Sequence, residues 1–381
     1  MKNFFLLLWI LVPISVNSQE CDCKEIFSWT KRTFEENDAG FDYILEKKGE
    51  QAYLVHNGLI QTQVASTNDA FECQNIIRQW LSFFRKGHLE FYYLGKAESD
   101  SEETELGTDE SKDANTGKSA GSNALHQRFL SSTDPFLETI DDNTLYLRIP
   151  SFQFSEKSKI DRVIASNRED ILSKPNLIID IRNGTGGSDA SFEELLPILY
   201  TNPIRTPGVQ FLSTTLNNQR MYDMATNSGF LEEQGVEFTA EERKKYRAYY
   251  DTLSNHLGEF VNLDTEDVSV STFDTVYANP KSVGILINGR NASTDEQFLL
   301  AAKQSKKVKL FGTTTKGALD VSNLFVAYSP AEDFVLVYAL SKSLRIPGFV
   351  IDDIGIQPDF YIDDDILESE WINYAIKILR E

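Results

Sequence analysis

Positive charge is scarce in this chain of 381 residues. Thirty-seven Lys and Arg face 58 Asp and Glu, for a formal net charge of −21 at pH 7. That deficit argues against nucleic acid as a partner, because phosphate backbones select basic surfaces, and against an anionic membrane surface. Histidine is rarer still, with four, and the three cysteines do not cluster with them, so no ligand set for a structural zinc site is visible. Long apolar runs are nearly absent. The one run, Phe4–Val16, is short for a membrane span. It follows Lys2 and precedes "SVNSQE", the layout of a signal peptide cut after Ser18. The chain is therefore expected to be exported, periplasmic or extracellular, with no membrane span after cleavage. Export permits disulfides. The cysteines are Cys21, Cys23 and Cys73, an odd count. Cys73 can pair with Cys21 or Cys23, and the sequence does not choose.

The chain is 41% hydrophobic, ample for one large core and a smaller domain. Residues 19–97 read as a small, mostly helical domain. In "ECQNIIRQWLSFFRKGH", Ile76, Ile77, Trp80, Leu81 and Phe84 share one face, which predicts an amphipathic helix ending at Gly87. Residues 98–135 read as an acidic flexible insert; 98–113 hold eight acids and one lysine without apolar periodicity. Order resumes in a core domain, 136–381. "TLYLRIPSF" alternates as a strand, "NLIIDIR" is a buried strand and "SFEELLPILY" a helix. A charged helix covers about 239–257, and further strands follow at 282–288, 308–312, 322–328 and 333–340. Strands alternating with helices give an α/β core.

Four stretches concentrate chemistry. "DIRNGTGGSD" (180–189) puts three glycines after a buried strand, where backbone N–H groups can approach a ligand or an oxyanion; a tight structural turn reads the same way. "NASTDEQFLLAAK" places Ser293 at a strand-to-helix turn. It is either a helix N-cap, with Glu296 completing a capping box, or a hydroxyl presented to a cleft. "RKGHLEF" brings His88, a structural histidine or a base able to activate a serine. "FVIDDIGIQPDF" embeds Asp352 and Asp353 among apolar residues, where a carboxylate needs a partner; an imidazole N–H is one. Together they supply nucleophile, base, orienting acid and oxyanion donors for acyl transfer.

The order "LIIDIRNGTGGSD", "NASTDEQFLLAAK", "GTTTKG", "IGIQPD" resembles the C-terminal processing (tail-specific) serine peptidase family over about residues 136–365. The resemblance implies a ClpP/crotonase-like spiral core. It implies that Ser293 is the nucleophile, and that Gly186 or Gly187 with the N–H of Thr294 forms the oxyanion hole. Many members use a lysine base 25 residues after the serine. Here that position is Ala318, and Lys316 lies two residues away, a displacement of roughly 7 Å on an extended strand. The chain is thus more similar to the tricorn-core-like branch, which uses a histidine and an acid. His88 and Asp352 match those two, although the acid is usually glutamate and Gly87 stands where tricorn often has serine.

The expected activity is that of an exported serine peptidase acting on peptide or unfolded protein substrates, with no cofactor, no metal and no nucleic acid; the oligomeric state is not legible. Domains similar to this one also occur in a retinoid-binding protein of the retina, so the rival expectation is an inactive peptide- or apolar-ligand-binding protein. A crotonase-like acyl-CoA enzyme fits poorly with export.

Overall fold

The computed structural model describes residues 21–95, 120–228, 238–264 and 266–381. The signal segment expected at 1–18 and the most acidic stretch lie outside the described residues. Four helices open the chain: α1 (Cys23–Asn37), α2 (Phe41–Lys48), α3 (Glu50–Val64) and α4 (Ala70–Leu81). Asp22 and Asp69 cap α1 and α4, each carboxylate accepting the N–H three residues on. The helix predicted to reach Gly87 stops at Leu81. A turn carrying His88 follows and leads into β1 (Glu90–Tyr93). The expected insert, 98–135, ends in a helix, α5 (Ala120–Ser131), that buries Leu125 and Phe129. These two apolar residues lie beyond the charged run, at helical spacing.

Then come β2 (Phe136–Asp141), β3 (Thr144–Arg148), α6 (Lys157–Ser166), α7 (Arg168–Ser173) and β4 (Asn176–Asp180). The helix expected in "SFEELLPILY" is a 3₁₀ segment, Asp189–Leu195, followed by one short helix, α8 (Leu196–Leu199). Pro197 lacks an N–H and sits in the first turn of α8, where none is needed. Two short strands, β5 (Ile204–Pro207) and β6 (Val209–Leu212), precede α9 (Thr215–Thr226) and α10 (Ala240–Ser254). Next are β7 (Phe260–Asn262), β8 (Val268–Ser271), β9 (Ser282–Ile287), α11 (Thr294–Ala302) and β10 (Val308–Gly312). The chain closes with β11 (Val321–Tyr328), β12 (Phe334–Ser343), β13 (Phe360–Tyr361) and α12 (Trp371–Leu379).

Side-chain alternation sets the layers. The main sheet runs β13-β10-β9-β4-β3-β2, parallel except for β2. Leu147, Ile179, Ile285 and Leu310 point to one face, where Phe298 and Leu299 of α11 join them. Tyr146, Ile178, Leu286 and Phe311 point to the other, beneath Trp371 and Ile372 of α12. Both faces are covered, which is why these strands read as continuous apolar runs. A second, antiparallel sheet runs β1-β12-β6-β7, with β11 on the opposite side of β12. Phe334, Leu336, Tyr338 and Leu340 of β12 pack with Phe27, Phe34, Trp80 and Phe84. The N-terminal helices therefore share one hydrophobic core with a strand about 250 residues later. The architecture is mixed α/β.

A Cys23–Cys73 disulfide ties α1 to α4, and Cys21 is free. Closing a loop of 50 residues restricts the unfolded chain, worth about 4 kcal/mol in the chain-entropy picture. Cys73→Ser should lower the urea-unfolding free energy by about 2–5 kcal/mol. Alkylation without reductant, read by mass spectrometry, should modify Cys21 alone; modification of Cys23 instead would contradict this pairing.

Candidate active site

Strands β4 and β9 run parallel as neighbours, so the loops leaving their C-terminal ends meet. Asparagines lace these loops together. The Asn183 N–H donates to Asn288 Oδ1, Asn288 Nδ2 donates to Asn183 Oδ1, and Asn291 Nδ2 donates to the Ile181 carbonyl. Beneath them the fully buried Asp180 is held by Arg182 at 2.6 Å and by the Tyr146 hydroxyl at 2.8 Å. The "DIR" of the sequence thus anchors the glycine loop.

Ser293 occupies the turn into α11 with φ 59° and ψ −121°. An N-cap normally has negative φ, so this backbone carries strain, on the order of 1–3 kcal/mol, and must be held from outside. The Ser293 N–H donates to the Ala318 carbonyl at 2.9 Å and to Glu296 Oε2 at 3.2 Å. The Glu296 carboxylate also accepts from Thr315 Oγ1, the Gly317 N–H and the Ala318 N–H. The expected Glu296-to-Ser293 contact therefore exists, but it belongs to a larger brace.

The glycines divide their work. A Cβ on Gly186 would lie 2.7 Å from Ser293 Cβ and 3.0 Å from the Thr294 nitrogen, so only glycine fits there. Gly186 is buried, and its N–H faces the Asp295 carboxylate. Gly187 and Thr294 line a cavity of about 1200 Å³ together with Ser293 and His88. Neither the Gly187 nor the Thr294 N–H has an acceptor among the described residues. Of the three expected oxyanion donors, these two open on the cavity.

His88 sits half-buried in the turn before β1, with φ 55°. Its Nδ1 lies 2.7 Å from the Val321 carbonyl. A carbonyl only accepts, so Nδ1 carries the proton and Nε2 keeps a free lone pair. Burial lowers the imidazole pKa to about 4, against the pull of the Val321 carbonyl, which raises it. The turn is fixed by Arg85, whose Nε donates to the Gly87 carbonyl and whose Nη2 donates to the His88 carbonyl. Arg85 is itself paired bidentately with the buried Asp38 at 2.5 and 2.7 Å. Gly87 is required because a Cβ there would lie 2.3 Å from the Ala318 Cβ. Ala318 thus packs against the chain that carries the histidine. His88 and Ser293 make no hydrogen bond to each other.

Asp352 does not touch the imidazole, and the direct contact expected from the resemblance is corrected here. Its Oδ1 accepts the Leu319 and Asp320 N–H groups at 2.6 Å, and its Oδ2 accepts the Val321 N–H at 3.1 Å. Asp320 reciprocates, accepting from the Ile351 and Asp352 N–H groups, and is neutralised by Arg345 at 2.7 Å. Adjacent amides attract a carboxylate as strongly as an imidazole does, and here they are nearer. Burial, with the neighbouring Asp320, pushes the Asp352 carboxyl up to about 6. The carbonyl that holds His88 belongs to the backbone gripped by Asp352.

Lys316 is exposed on the cavity wall. Its backbone N–H donates to the Asn291 carbonyl, and its side chain has no ion-pair partner among the described residues. Sequence reasoning missed Asp38, Arg85, Asp320, Arg345 and the Val321 carbonyl. A charged residue three positions before His88 was the only visible hint of the first pair.

Residues 143–362 match peptidase family S41, and the chain belongs to that family. It is 34% identical over 98 residues to a "Probable CtpA-like serine protease" of Staphylococcus haemolyticus and 32% identical over 102 residues to one of Staphylococcus aureus. These stretches cover 25% and 26% of this chain and 19% and 20% of the relatives, so the match spans about a fifth of their length. Its fold is similar to the structure of mature CPAF complexed with lactacystin, at a TM-score of 0.62 and 14% identity over 94% of this chain and 97% of that one. Mature CPAF alone gives 0.58 at 13% identity, over 94% and 96%.

Burial pushes the Asp295 carboxyl, beside Gly184 and Gly186, up to about 7, against the Asn291 amide that donates to its Oδ2 and the Gly186 N–H that faces it. A carboxyl whose folded pKa lies above its unfolded value binds its proton more tightly when folded. Its contribution to stability is present at low pH and is lost as pH rises from about 4 to about 7. Asp295→Asn should remove that slope, so the variant's urea midpoint should gain on wild type across this window and the gain should level off above it. A difference that does not change with pH would show that Asp295 does not titrate there.

Proposed function

We propose that this chain is an exported serine peptidase with a ClpP/crotonase-like spiral core, in which Ser293 is the nucleophile and His88 the base. The single observation that carries this reading is that strained Ser293, His88 with a free Nε2, and two unclaimed amides, Gly187 and Thr294, line one cavity. The domain reading is a signal peptide over 1–18, helices over 19–97, an acidic insert over 98–135 and the peptidase core over 136–381.

His88 Nε2 takes the Ser293 proton as Oγ bonds the peptide carbonyl carbon. The carbonyl oxygen becomes an oxyanion between the Gly187 and Thr294 N–H groups, each such donor worth about a hundred- to a thousand-fold in rate. As the C–N bond breaks, His88 returns the proton to the leaving amine. Water then repeats the sequence on the acyl-serine and releases the acid. The Val321 carbonyl holds Nδ1–H throughout, the place a carboxylate fills in a Ser-His-Asp triad. Asp352 serves as a positioning residue by fixing Val321. Ala318 in place of a lysine, packed on Gly87, supports the histidine over Lys316.

Peptide hydrolysis tests this. Ser293→Ala and His88→Ala should each cut kcat/KM by at least about a thousand-fold, in the range of triad losses, and Lys316→Ala by less than about tenfold. Because burial holds the imidazole near 4, the acid limb of the rate profile should fall below 6.5, the ordinary histidine value. Activity lost with Lys316 but not with His88 would reverse the assignment. A folded wild type without hydrolysis would favour a binding protein on the same fold.

A further inference from the structure

Gln297 keeps an open donor in the cavity. It lies one helical turn after Ser293 on α11, its N–H donating to the Ser293 carbonyl at 3.0 Å. The residue is only 9% exposed, yet it lines the cavity. Arg345 Nη1 donates to Gln297 Oε1 at 3.3 Å, and Asp320 holds Arg345 in place through its Nε at 2.7 Å. A guanidinium only donates, so the side-chain amide is fixed with its oxygen toward Arg345 and its nitrogen away. Among the described residues Gln297 Nε2 has no acceptor, and it is not sealed in the interior. A nearly buried N–H group without an acceptor is unfavourable, so this place favours a ligand atom that accepts.

An acceptor stands beside it. Asp189 also lines the cavity, and the Thr294 hydroxyl faces its carboxylate. Thr294 and Gln297 are three residues apart on α11, neighbours on one helix face with Cβ atoms roughly 5–6 Å apart. Asp189 and Gln297 therefore flank Thr294. Asp189 is also two residues past Gly187, so it borders the proposed oxyanion donors, Gly187 and Thr294, from both sides. Arg345 attracts the Asp189 carboxylate and Glu193 repels it. We propose that Gln297 and Asp189 form a subsite for a neutral side-chain amide, that of glutamine or asparagine, carried by the substrate residue whose carbonyl is attacked. The amide oxygen accepts from Gln297 Nε2, and the amide NH2 donates to the Asp189 carboxylate. A substrate carboxylate would meet the like charge of Asp189, and an ammonium would leave Gln297 without an acceptor. That this residue precedes the scissile bond rests on the serine peptidase reading above; recognition of the amide does not.

The test uses full-length Ser293→Ala, which binds without hydrolysing, and fluorescein-labelled peptides of Gly, Ala and Ser with one central Gln, Asn, Met, Glu or Lys, read by anisotropy. The tighter of the Gln and Asn peptides should bind at least tenfold better than the Met peptide, which matches Gln in size, and better than the Glu and Lys peptides. Adding Gln297→Met should bring the ratio over Met to about one. Adding Asp189→Asn should keep part of that ratio and relieve the rejection of Glu. A ratio near one with Gln297 and Asp189 intact, which needs no further variant, overturns the proposal. So does tightest binding of the Glu or the Lys peptide, or a ratio that survives Gln297→Met. Cleavage of the preferred peptide by wild type directly after the amide residue, read by mass spectrometry, is the expected position, and cleavage elsewhere overturns that placement. Phosphonate labelling of wild type reports separately on the serine: labelling without amide preference removes the subsite alone, and amide preference without labelling removes the peptidase reading alone.

Discussion

The site depends on the Glu296 carboxylate. It accepts from the Ser293 N–H, the Thr315 hydroxyl and the Gly317 and Ala318 N–H groups, and it is buried. Burial raises its pKa while these donors work to keep it ionised. Ser293 cannot relax from its positive φ while its N–H is held there and by the Ala318 carbonyl. Without the carboxylate, the Thr315 hydroxyl and the Gly317 and Ala318 N–H groups would be orphaned, each costing about 1–3 kcal/mol if left buried. The same brace sets the loop that continues to Val321, and so the carbonyl that orients His88.

That coupling explains how His88 and Ser293, from segments about 200 residues apart, come to line one cavity. Asp38 and Arg85 lock the histidine turn onto β12, since Asp38 also accepts the Ala339 N–H. Asp320 and Asp352 lock the loop before β11 onto the loop before β13. Both devices are carboxylates satisfied by amides or by an arginine inside the protein, where breaking one partner typically costs about 3–5 kcal/mol. In a chain so rich in acids, several of them are internal fasteners.

The main sheet was legible because strands covered on both faces are uninterrupted apolar runs, as at Asn176–Asp180 and Ser282–Ile287. The glycine loop and Ser293 were legible because a glycine run after a strand and a small polar residue before a helix carry local constraints. What the sequence could not disclose were contacts set by tertiary neighbours. Asp352 reads as a lone acid seeking an imidazole, and only the fold shows three backbone amides closer. The helix end was misplaced because Phe83 and Phe84 continue the apolar pattern beyond Leu81, although they pack from a turn.

The most direct measurement is the site of covalent capture by a fluorophosphonate, mapped by tryptic mass spectrometry on wild type and His88→Ala. An activated Ser293 predicts a single adduct on the peptide containing it, forming at least about a hundred-fold more slowly without His88, as expected when a general base is removed. An adduct on another residue, or equally fast capture of Ser293 in His88→Ala, would contradict the assignment of nucleophile and base.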